Sequence, residues 1–154
     1  MLTDDERREI EVEMARYPTR QAASVEAMTN LQRHRGWVSD ESLQDLVPML
    51  HMTTDELDGV ATFYNMIFRR PVGRHVILVC NSVTCWMLGA DRLHERTATA
   101  CGARPGETSA DGRFTLLPIV CLGACDHAPA LMIDGALHGD VDPARVVQLL
   151  SRYP

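Results

Sequence analysis

The sequence predicts an α/β protein in which a helical bundle comes first and a small layer of strands and helices follows. Two observations support this order. Residues 3–64 contain helix-capping signals and apolar side chains at helical spacing, whereas residues 75–154 contain short β-branched runs separated by turns. The charged, turn-rich segment 69–74 is interpreted as the linker between them. We therefore predict a helical domain over residues 1–70 and a second domain over residues 71–154.

The first two helices are predicted from their end signals. Thr3 is followed three residues later by Glu6, which is a capping box, so a helix should begin there. It should stop near Tyr17–Pro18, because the residue before a proline disfavours the α conformation. A second helix is expected from about 20 to 35, with Gly36 placed to end it. Its apolar face is expected to contain Ala22, Val25, Met28 and Leu31.

Two further helices are predicted before the linker. Ser39 or Asp40 can cap the third, and Pro48 inside its pattern should kink or shorten it. Thr53 and Glu56 repeat the capping box and open the fourth. The apolar positions of these two helices are Leu43, Leu46, Val47 and Leu50, and then Leu57, Val60 and Ala61. The aromatic pair Phe63–Tyr64 is interpreted either as core packing or as a partner surface.

Two buried strands are predicted in the second domain, and each ends at a cysteine. Residues 75–79 form a β-branched run that ends at Cys80, and residues 114–120 form another that ends at Cys121. Loops at the carboxyl ends of strands hold ligands in many α/β sheets, because the rigid sheet positions them. The sequence thus places its cysteines at one edge of the second domain.

The remaining elements complete a β-α-β-β-β-α order. A helix is expected over 88–97, between the two strands. Asp134–Gly135 joins two short apolar runs, which predicts a hairpin over 131–138. Asp142 followed by Pro143 predicts the start of a last helix.

Composition and charge argue against several classes of protein. The chain of 154 residues is 45% hydrophobic, which is enough to build a core. Its net charge of −6 disfavours a nucleic-acid partner, which requires a basic surface, and disfavours simple docking to anionic lipid. The charged N-terminus lacks an apolar signal region, and no apolar run is long enough to cross a bilayer. We therefore expect a cytoplasmic protein without direct membrane insertion.

Four of the five cysteines form two close pairs, which are the candidate site. Four residues separate Cys80 from Cys85, and three separate Cys121 from Cys125. In a reducing cytosol, paired cysteines indicate metal ligands or reactive thiols rather than structural disulfides. A [2Fe–2S] cluster takes four thiolates, and structural zinc takes the same set at similar spacing. The spacing by itself therefore leaves iron–sulfur and zinc both open.

Other interpretations of the cysteines fit less well. A thioredoxin-type dithiol requires C-x-x-C, which is absent. Four inert buried cysteines are disfavoured by the position of both pairs at strand ends. Cys101 has no partner nearby and is interpreted as an apolar filler or a spare thiol. His127 follows Cys125 in a C-x-H pattern, but no other paired cysteine has a histidine close after it, so His127 is interpreted as a surface residue or a support behind the ligands.

The sequence contains no motif for substrate chemistry of its own. The patterns G-x-S-x-G and H-E-x-x-H are missing, and no G-x-G-x-x-G opens a helix after a strand. We therefore predict no catalytic residue and no nucleotide site on this chain.

Several motifs resemble one known family. They are Arg35-Gly36-Trp37-Val38, Gly59 to Tyr64, Pro71 to Ile77, Cys80-x₄-Cys85, Asp111 to Pro118, Cys121-Leu122-Gly123-x-Cys125, and Ala128-Pro129. Together they resemble the E subunit of bacterial NADH-quinone oxidoreductase, which is respiratory complex I. The resemblance covers nearly the whole chain.

This resemblance implies a helical bundle followed by a thioredoxin-like [2Fe–2S] ferredoxin domain. It implies that Cys80, Cys85, Cys121 and Cys125 hold the cluster, with Cys101 outside it. It also implies a partner flavoprotein subunit that binds NADH and FMN and delivers single electrons to this chain, next to further peripheral-arm subunits.

The resemblance further implies that the chain is part of an enzyme only as a subunit of a quinone-reducing translocase. Such a subunit is peripheral at the cytoplasmic face of the inner membrane through the complex. Related subunits occur in soluble NAD-dependent formate dehydrogenases and hydrogenases, which is an alternative for the parent complex. An alternative of a different class is a zinc-stapled interaction module without a redox role.

Overall fold

The computed structural model describes all 154 residues, which pack into two compact units. The first unit spans Met1–Pro71 and the second spans Val72–Pro154. The first has one hydrophobic core, and the second has a main core and a smaller apolar cluster that contains cysteines.

The first unit consists of four helices. They are α1 (Asp4–Met14), α2 (Ser24–Arg35), α3 (Asp40–Leu50) and α4 (Thr54–Phe63). Both predicted capping boxes form, at Thr3 before α1 and at Thr53 before α4. Ser39 is the residue that caps α3, because its side chain accepts a hydrogen bond from the Ser42 backbone N–H. Gly36 ends α2 in the left-handed conformation at φ 82°, as predicted.

Two predicted boundaries in the first unit are wrong. Helix α1 ends at Met14, ahead of Tyr17–Pro18, and Gln21–Ala23 form a separate 3₁₀ turn before α2. Of the two effects expected of Pro48, a kink or an early end, the early end does not occur, because α3 continues to Leu50. Pro48 lies in the last turn of this helix, so its missing N–H removes only one intrahelical hydrogen bond. Burial of the two side chains that follow it offsets this loss.

A partly buried network of ion pairs links three helices of the first unit. The Arg35 guanidinium in α2 donates hydrogen bonds of 2.7 and 2.8 Å to the Glu6 carboxylate in α1. It also donates one of 3.0 Å to Asp45 in α3. The hydrogen bond from Arg35 lowers the pKa of the buried Glu6 carboxyl from 4.5 to about 2. The first unit therefore depends on a charged link as well as on its apolar core.

The second unit is a five-stranded sheet with helices. Its strands are β1 (His75–Cys80), β2 (Glu107–Thr108), β3 (Phe114–Ile119), β4 (Leu131–Ile133) and β5 (Ala136–His138). Its helices are α5 (Val83–Met87), α6 (Ala90–Cys101) and α7 (Val146–Leu150). The strand order is β2-β3-β1-β4-β5.

Strand β1 is central, and its neighbours define the edge at which the cysteines lie. It pairs with β3 in parallel, from His75 opposite Phe114 to Cys80 opposite Ile119. It pairs with β4 in the antiparallel sense on its other side. A strand that has neighbours on both sides and is covered on both faces consists mainly of apolar residues. This explains why β1 has no alternation of polar and apolar residues. Because β1 and β3 run in parallel, their carboxyl ends meet at one edge of the sheet.

The second unit differs from the sequence prediction in three places. The helix expected over 88–97 is α6, which runs from Ala90 to Cys101, and a further short helix, α5, precedes it and was not predicted. Strand β2 was not predicted, since two exposed residues carry no apolar pattern. Strand β3 stops at Ile119, one residue before the predicted end. The hairpin β4–β5 is confirmed, and Pro143 opens a 3₁₀ turn that leads into α7.

None of the helices is long and apolar enough to cross a membrane.

Candidate metal centre

The first cysteine of each pair lies where its strand ends. Cys80 is the last residue of β1, and Cys121 follows β3 by two residues. The Asn81 backbone N–H donates a 2.9 Å hydrogen bond to the Ile119 carbonyl, which extends the β1–β3 pairing into the two loops. The prediction that each pair starts at the carboxyl end of a strand is confirmed, and the structure adds that the two strands are parallel neighbours.

The second cysteine of each pair lies on a short helical segment. Cys85 is buried on α5, one turn after the N-cap residue Ser82. Cys125 begins a single 3₁₀ turn that ends at His127. The sequence prediction missed α5, although a serine directly before Val83 is an N-cap signal that could have indicated it.

The Cys80 thiol lies close to Cys85, the other thiol of its pair, and to the loop that carries the second pair. Burial would raise its pKa, but hydrogen bonding from the Ser82 N–H, the Cys85 thiol and the Leu122 N–H holds that pKa below its ordinary value. The pKa of Cys85 is raised, first by burial and then by the neighbouring Cys80 sulfur. The lowered pKa of Cys80 favours the thiolate, which is the form of cysteine that binds metals.

The two pairs differ in burial. Cys80 and Cys85 are each 2% exposed, whereas Cys121 and Cys125 are exposed. The Gly123 backbone N–H donates to the Cys121 sulfur at 3.3 Å. Gly123 has φ 74°, a conformation that other residues seldom adopt. Glycine thus lets the loop turn its N–H towards sulfur without backbone strain.

The donor set and its surroundings fit an iron–sulfur cluster. Small side chains form an apolar cluster around the buried pair, namely Ala90, Ala124, Ala128 and Ala130. No three Cys, His, Asp or Glu side chains converge on one point. A [2Fe–2S] cluster requires only two thiolates at each iron.

Cys101 lies apart from the two pairs. It is buried in the main core of the second unit, whereas Cys80 and Cys85 belong to the smaller apolar cluster. Its sulfur donates weakly to the carbonyls of Ala98 and Ala103, at 3.6 and 3.8 Å. This position matches the interpretation of Cys101 as an apolar filler.

His127 is exposed and pairs with a carboxylate that the sequence did not indicate. Its Nδ1 lies 2.7 Å from Asp140 Oδ2, and this hydrogen bond is the main reason that the pKa of His127 is raised. Its exposure agrees with the interpretation as a surface residue. Asp140 follows Gly139 in a turn, and nothing in the sequence marks it as a neighbour of the cysteine loop.

Several large apolar side chains are exposed in each unit. Phe63 is 81% exposed in the first unit, so core packing, one of its two interpretations, is wrong. In the second unit the exposed group flanks the cysteines, with Val83, Trp86, Met87 and Leu88 around Cys85 and Val120 before Cys121.

Comparisons with known proteins agree with this geometry. Residues 10–154 match the family model of thioredoxin-like [2Fe–2S] ferredoxins. The NADH-quinone oxidoreductase E subunit of Pseudomonas aeruginosa is 48% identical over 153 residues, which cover 99% of this chain and 92% of that one. The corresponding E subunit of Escherichia coli is 44% identical over 152 residues, with 99% and 92% covered.

A solved structure shares the fold. The NAD⁺-reducing [NiFe]-hydrogenase in its H₂-reduced state superimposes with a TM-score of 0.69 at 26% identity. The match covers 82% of this chain but only 22% of that one, so this chain corresponds to part of the longer hydrogenase chain.

Fold and site together define a thioredoxin-like [2Fe–2S] ferredoxin that carries a helical unit before it. Its cofactor is a [2Fe–2S] cluster. Within that class, the chain belongs to the E-subunit family of NADH-quinone oxidoreductase.

Proposed function

We propose that this chain is the electron-transfer subunit of an NADH-quinone oxidoreductase and that Cys80, Cys85, Cys121 and Cys125 hold its [2Fe–2S] cluster. The observation that supports the proposal is that the first cysteine of each pair lies at or just beyond the carboxyl end of β1 or β3, which are parallel neighbours. The names of the 44–48% identical relatives support the parent complex.

The role of the chain is to hold the cluster and to tune it. When bound, the cluster takes up and releases one electron at a time. Each pair would supply two thiolates to the cluster. Burial of Cys80 and Cys85 opposes the extra negative charge of the reduced state, whereas N–H groups that point at sulfur favour it. Gly123 supplies such a donor to the exposed pair. The balance of these two effects sets the reduction potential.

The electron donor in this proposal is FMN on a partner flavoprotein that oxidises NADH. The exposed apolar residues around Cys85 support a protein partner, because Trp86 is 59% exposed and Met87 is 74% exposed beside a ligand. Contact at this place brings the donor close to the cluster. Further peripheral-arm subunits complete the complex at the cytoplasmic face of the membrane.

Catalysis on substrates belongs to the complex rather than to this chain. The chain contributes no catalytic residue in this proposal, and NADH, FMN and quinone bind elsewhere. Its part in the enzyme is to accept single electrons from FMN and to pass them on.

A second candidate for the parent complex is a soluble NAD-linked hydrogenase or formate dehydrogenase. The likeness to the NAD⁺-reducing hydrogenase favours it, although the match is limited to 22% of that chain. A preparation isolated with its native partners distinguishes these cases. NADH-dependent reduction of quinone supports the first proposal, whereas reduction of NAD⁺ by H₂ or formate supports the second.

The direct test of the cluster uses chain purified without air. We expect about two irons and two acid-labile sulfides per chain, and an EPR signal that appears after reduction with dithionite. Zinc without sulfide would instead identify a zinc-stapled interaction module and overturn the redox function.

A further inference from the structure

The end of the second cysteine loop lies against a short backbone segment, residues 139–141. The Asp140 N–H donates to the His127 carbonyl at 2.6 Å, and the Val141 N–H donates to the Pro129 carbonyl at 3.0 Å. These bonds lie just beyond the β4–β5 ladder, in which Leu131 lies opposite His138. The loop that carries Cys125 is therefore attached to the segment that follows β5.

Side-chain contacts strengthen this attachment. The Asp140 carboxylate lies 2.7 Å from His127 Nδ1. Asp140 has φ 51°, and the short polar side chain of an aspartate tolerates this left-handed conformation better than most. Gly139 packs directly on His127, because a Cβ added at Gly139 would lie 2.5 Å from His127 Cβ and 3.0 Å from the His127 carbonyl oxygen. Only glycine allows so close an approach.

The segment is itself fixed to the core. Val141 is buried in the main core of the second unit. In contrast, Cys125 is exposed on a 3₁₀ helix of one turn. One turn of helix has little stability of its own, so its position depends on what it packs against.

We propose that residues 139–141 act as a brace that holds Cys125 in position through His127, and that this brace helps to retain the [2Fe–2S] cluster and to set its potential. His127, Gly139 and Asp140 are positioning residues in this scheme, since none of them bonds to iron. The inference rests on the proposed function, because it requires Cys125 to be a ligand.

The first test is a steric wedge, Gly139→Ala, in the full-length chain loaded with cluster. The added methyl group must displace His127 and the turn that carries Cys125. We expect loss of the cluster to an iron chelator to become about tenfold faster, the usual scale for residues that support metal ligands. We also expect shifted EPR g-values and a shifted potential. The substitution changes no charge, so a shift of the potential reports displacement of the ligand.

The second test is a matched pair, Asp140→Asn and Asp134→Asn. Asp134 lies in the turn at the other end of the hairpin, at φ 49°, and its carboxylate lies 2.6 Å from His75 Nδ1. Both variants weaken one His–Asp bond and keep a residue that tolerates the left-handed backbone. Asp140→Asn should speed cluster loss about threefold, because a neutral acceptor bonds more weakly than a carboxylate. Asp134→Asn should match wild type.

Gly59→Ala is the control for the wedge, because Gly59 has open space around its Cβ position and no positive φ. Wild-type chelation rates and EPR spectra in both Gly139→Ala and Asp140→Asn would overturn the brace. An effect of Asp134→Asn equal to that of Asp140→Asn would also overturn it, since a general weakening of the hairpin would then explain both. If circular dichroism shows that Gly139→Ala does not fold, the aspartate pair decides.

The failure of the proposed function gives a different result. In that case the wild-type chain itself contains no iron and sulfide. A wild-type chain with its cluster, together with variants that do not respond, rejects the brace alone.

Discussion

The two units of the molecule are stabilised in different ways. The first is a set of capped helices in which a buried carboxylate, Glu6, is held by Arg35. The second is a sheet around an apolar central strand, with two thiol pairs at one edge. The buried ionisable side chain of the first unit is thus a carboxylate in an ion pair, whereas the buried ionisable side chains of the second unit are thiols.

This difference can be measured separately in each unit. The chain has two tryptophans, Trp37 in the first unit and Trp86 in the second. Trp37→Phe leaves Trp86 to report the second unit by fluorescence, and Trp86→Phe leaves Trp37 to report the first. The predictions that follow use this separation, from the largest expected effect to the smallest.

The largest effect is expected from removal of a buried thiolate. Cys80→Ser should abolish the cluster, because the end of β1 is fixed in the sheet and cannot move to accommodate a shorter, harder oxygen ligand. Cys121→Ser should leave a residual cluster with an altered spectrum, since its loop is exposed and can adjust. Visible absorption, EPR, and iron and sulfide analysis measure both.

Cys101→Ser is the control for these variants and should keep the wild-type cluster, because Cys101 lies in a different apolar cluster from the buried pair. Loss of the cluster signal in this variant would show that the ligand assignment is wrong.

The next largest effect is expected when a buried side chain in the core of the sheet is shortened to alanine. Leu131 is fully buried on β4, next to the central strand, and Leu131→Ala should destabilise the second unit by about 4 kcal/mol. Leu137 lies on β5 and is 48% exposed, so Leu137→Ala should cost less than about 1 kcal/mol. Guanidinium unfolding followed by Trp86 fluorescence gives both values. Equal losses would show that the core is not where the structure places it.

Acid should destabilise the first unit through Glu6. The folded-state pKa of Glu6, about 2, lies below its unfolded value of 4.5, so the stabilisation is complete above pH 4.5 and is lost as the pH falls towards 2. The difference corresponds to about 3 kcal/mol. Unfolding of the wild type and of Glu6→Gln, followed by Trp37 fluorescence at several pH values, measures it. The variant should lose this part of the pH dependence, and identical pH profiles would contradict the role of the ion pair.

The smallest effect is expected at a helix cap. Thr53 accepts from the Glu56 N–H at 3.2 Å and starts α4, so Thr53→Ala should destabilise the first unit by about 1 kcal/mol. Thr62→Ala is the matched control in the same helix, because the Thr62 hydroxyl bonds only to carbonyls already used within the helix. A cost at Thr62 as large as at Thr53 would argue against the capping box as a source of stability.

Local signals in the sequence predicted most helix starts and the main strands. The capping boxes at Thr3 and Thr53 and the glycine at Gly36 act within one turn, so short sequence patterns contain the information. The predictions of element boundaries and of β2 failed where tertiary packing, rather than local sequence, determines the structure. Helix α3 continues past Pro48 because the residues after it are buried, and β2 exists only because β3 offers an edge to pair with.

The candidate site was also predicted only in part from the sequence. The sequence identified both thiol pairs and their position at the strand ends, because each pair is close along the chain. It did not indicate that Cys85 lies on a helix, that one pair is buried and the other exposed, or that Asp140 supports the loop of Cys125. These features depend on residues that are distant in sequence.

The sequence by itself determined the family, the order of helices before sheet, and the four thiols that we propose as ligands. Such features follow from residue type and short spacing, which are properties of the chain before it folds. Only the tertiary structure decided which thiols are shielded from water and which backbone groups meet them. The reason is physical, because burial and hydrogen bonding arise when the parallel pairing of β1 with β3 brings the two loops to one edge.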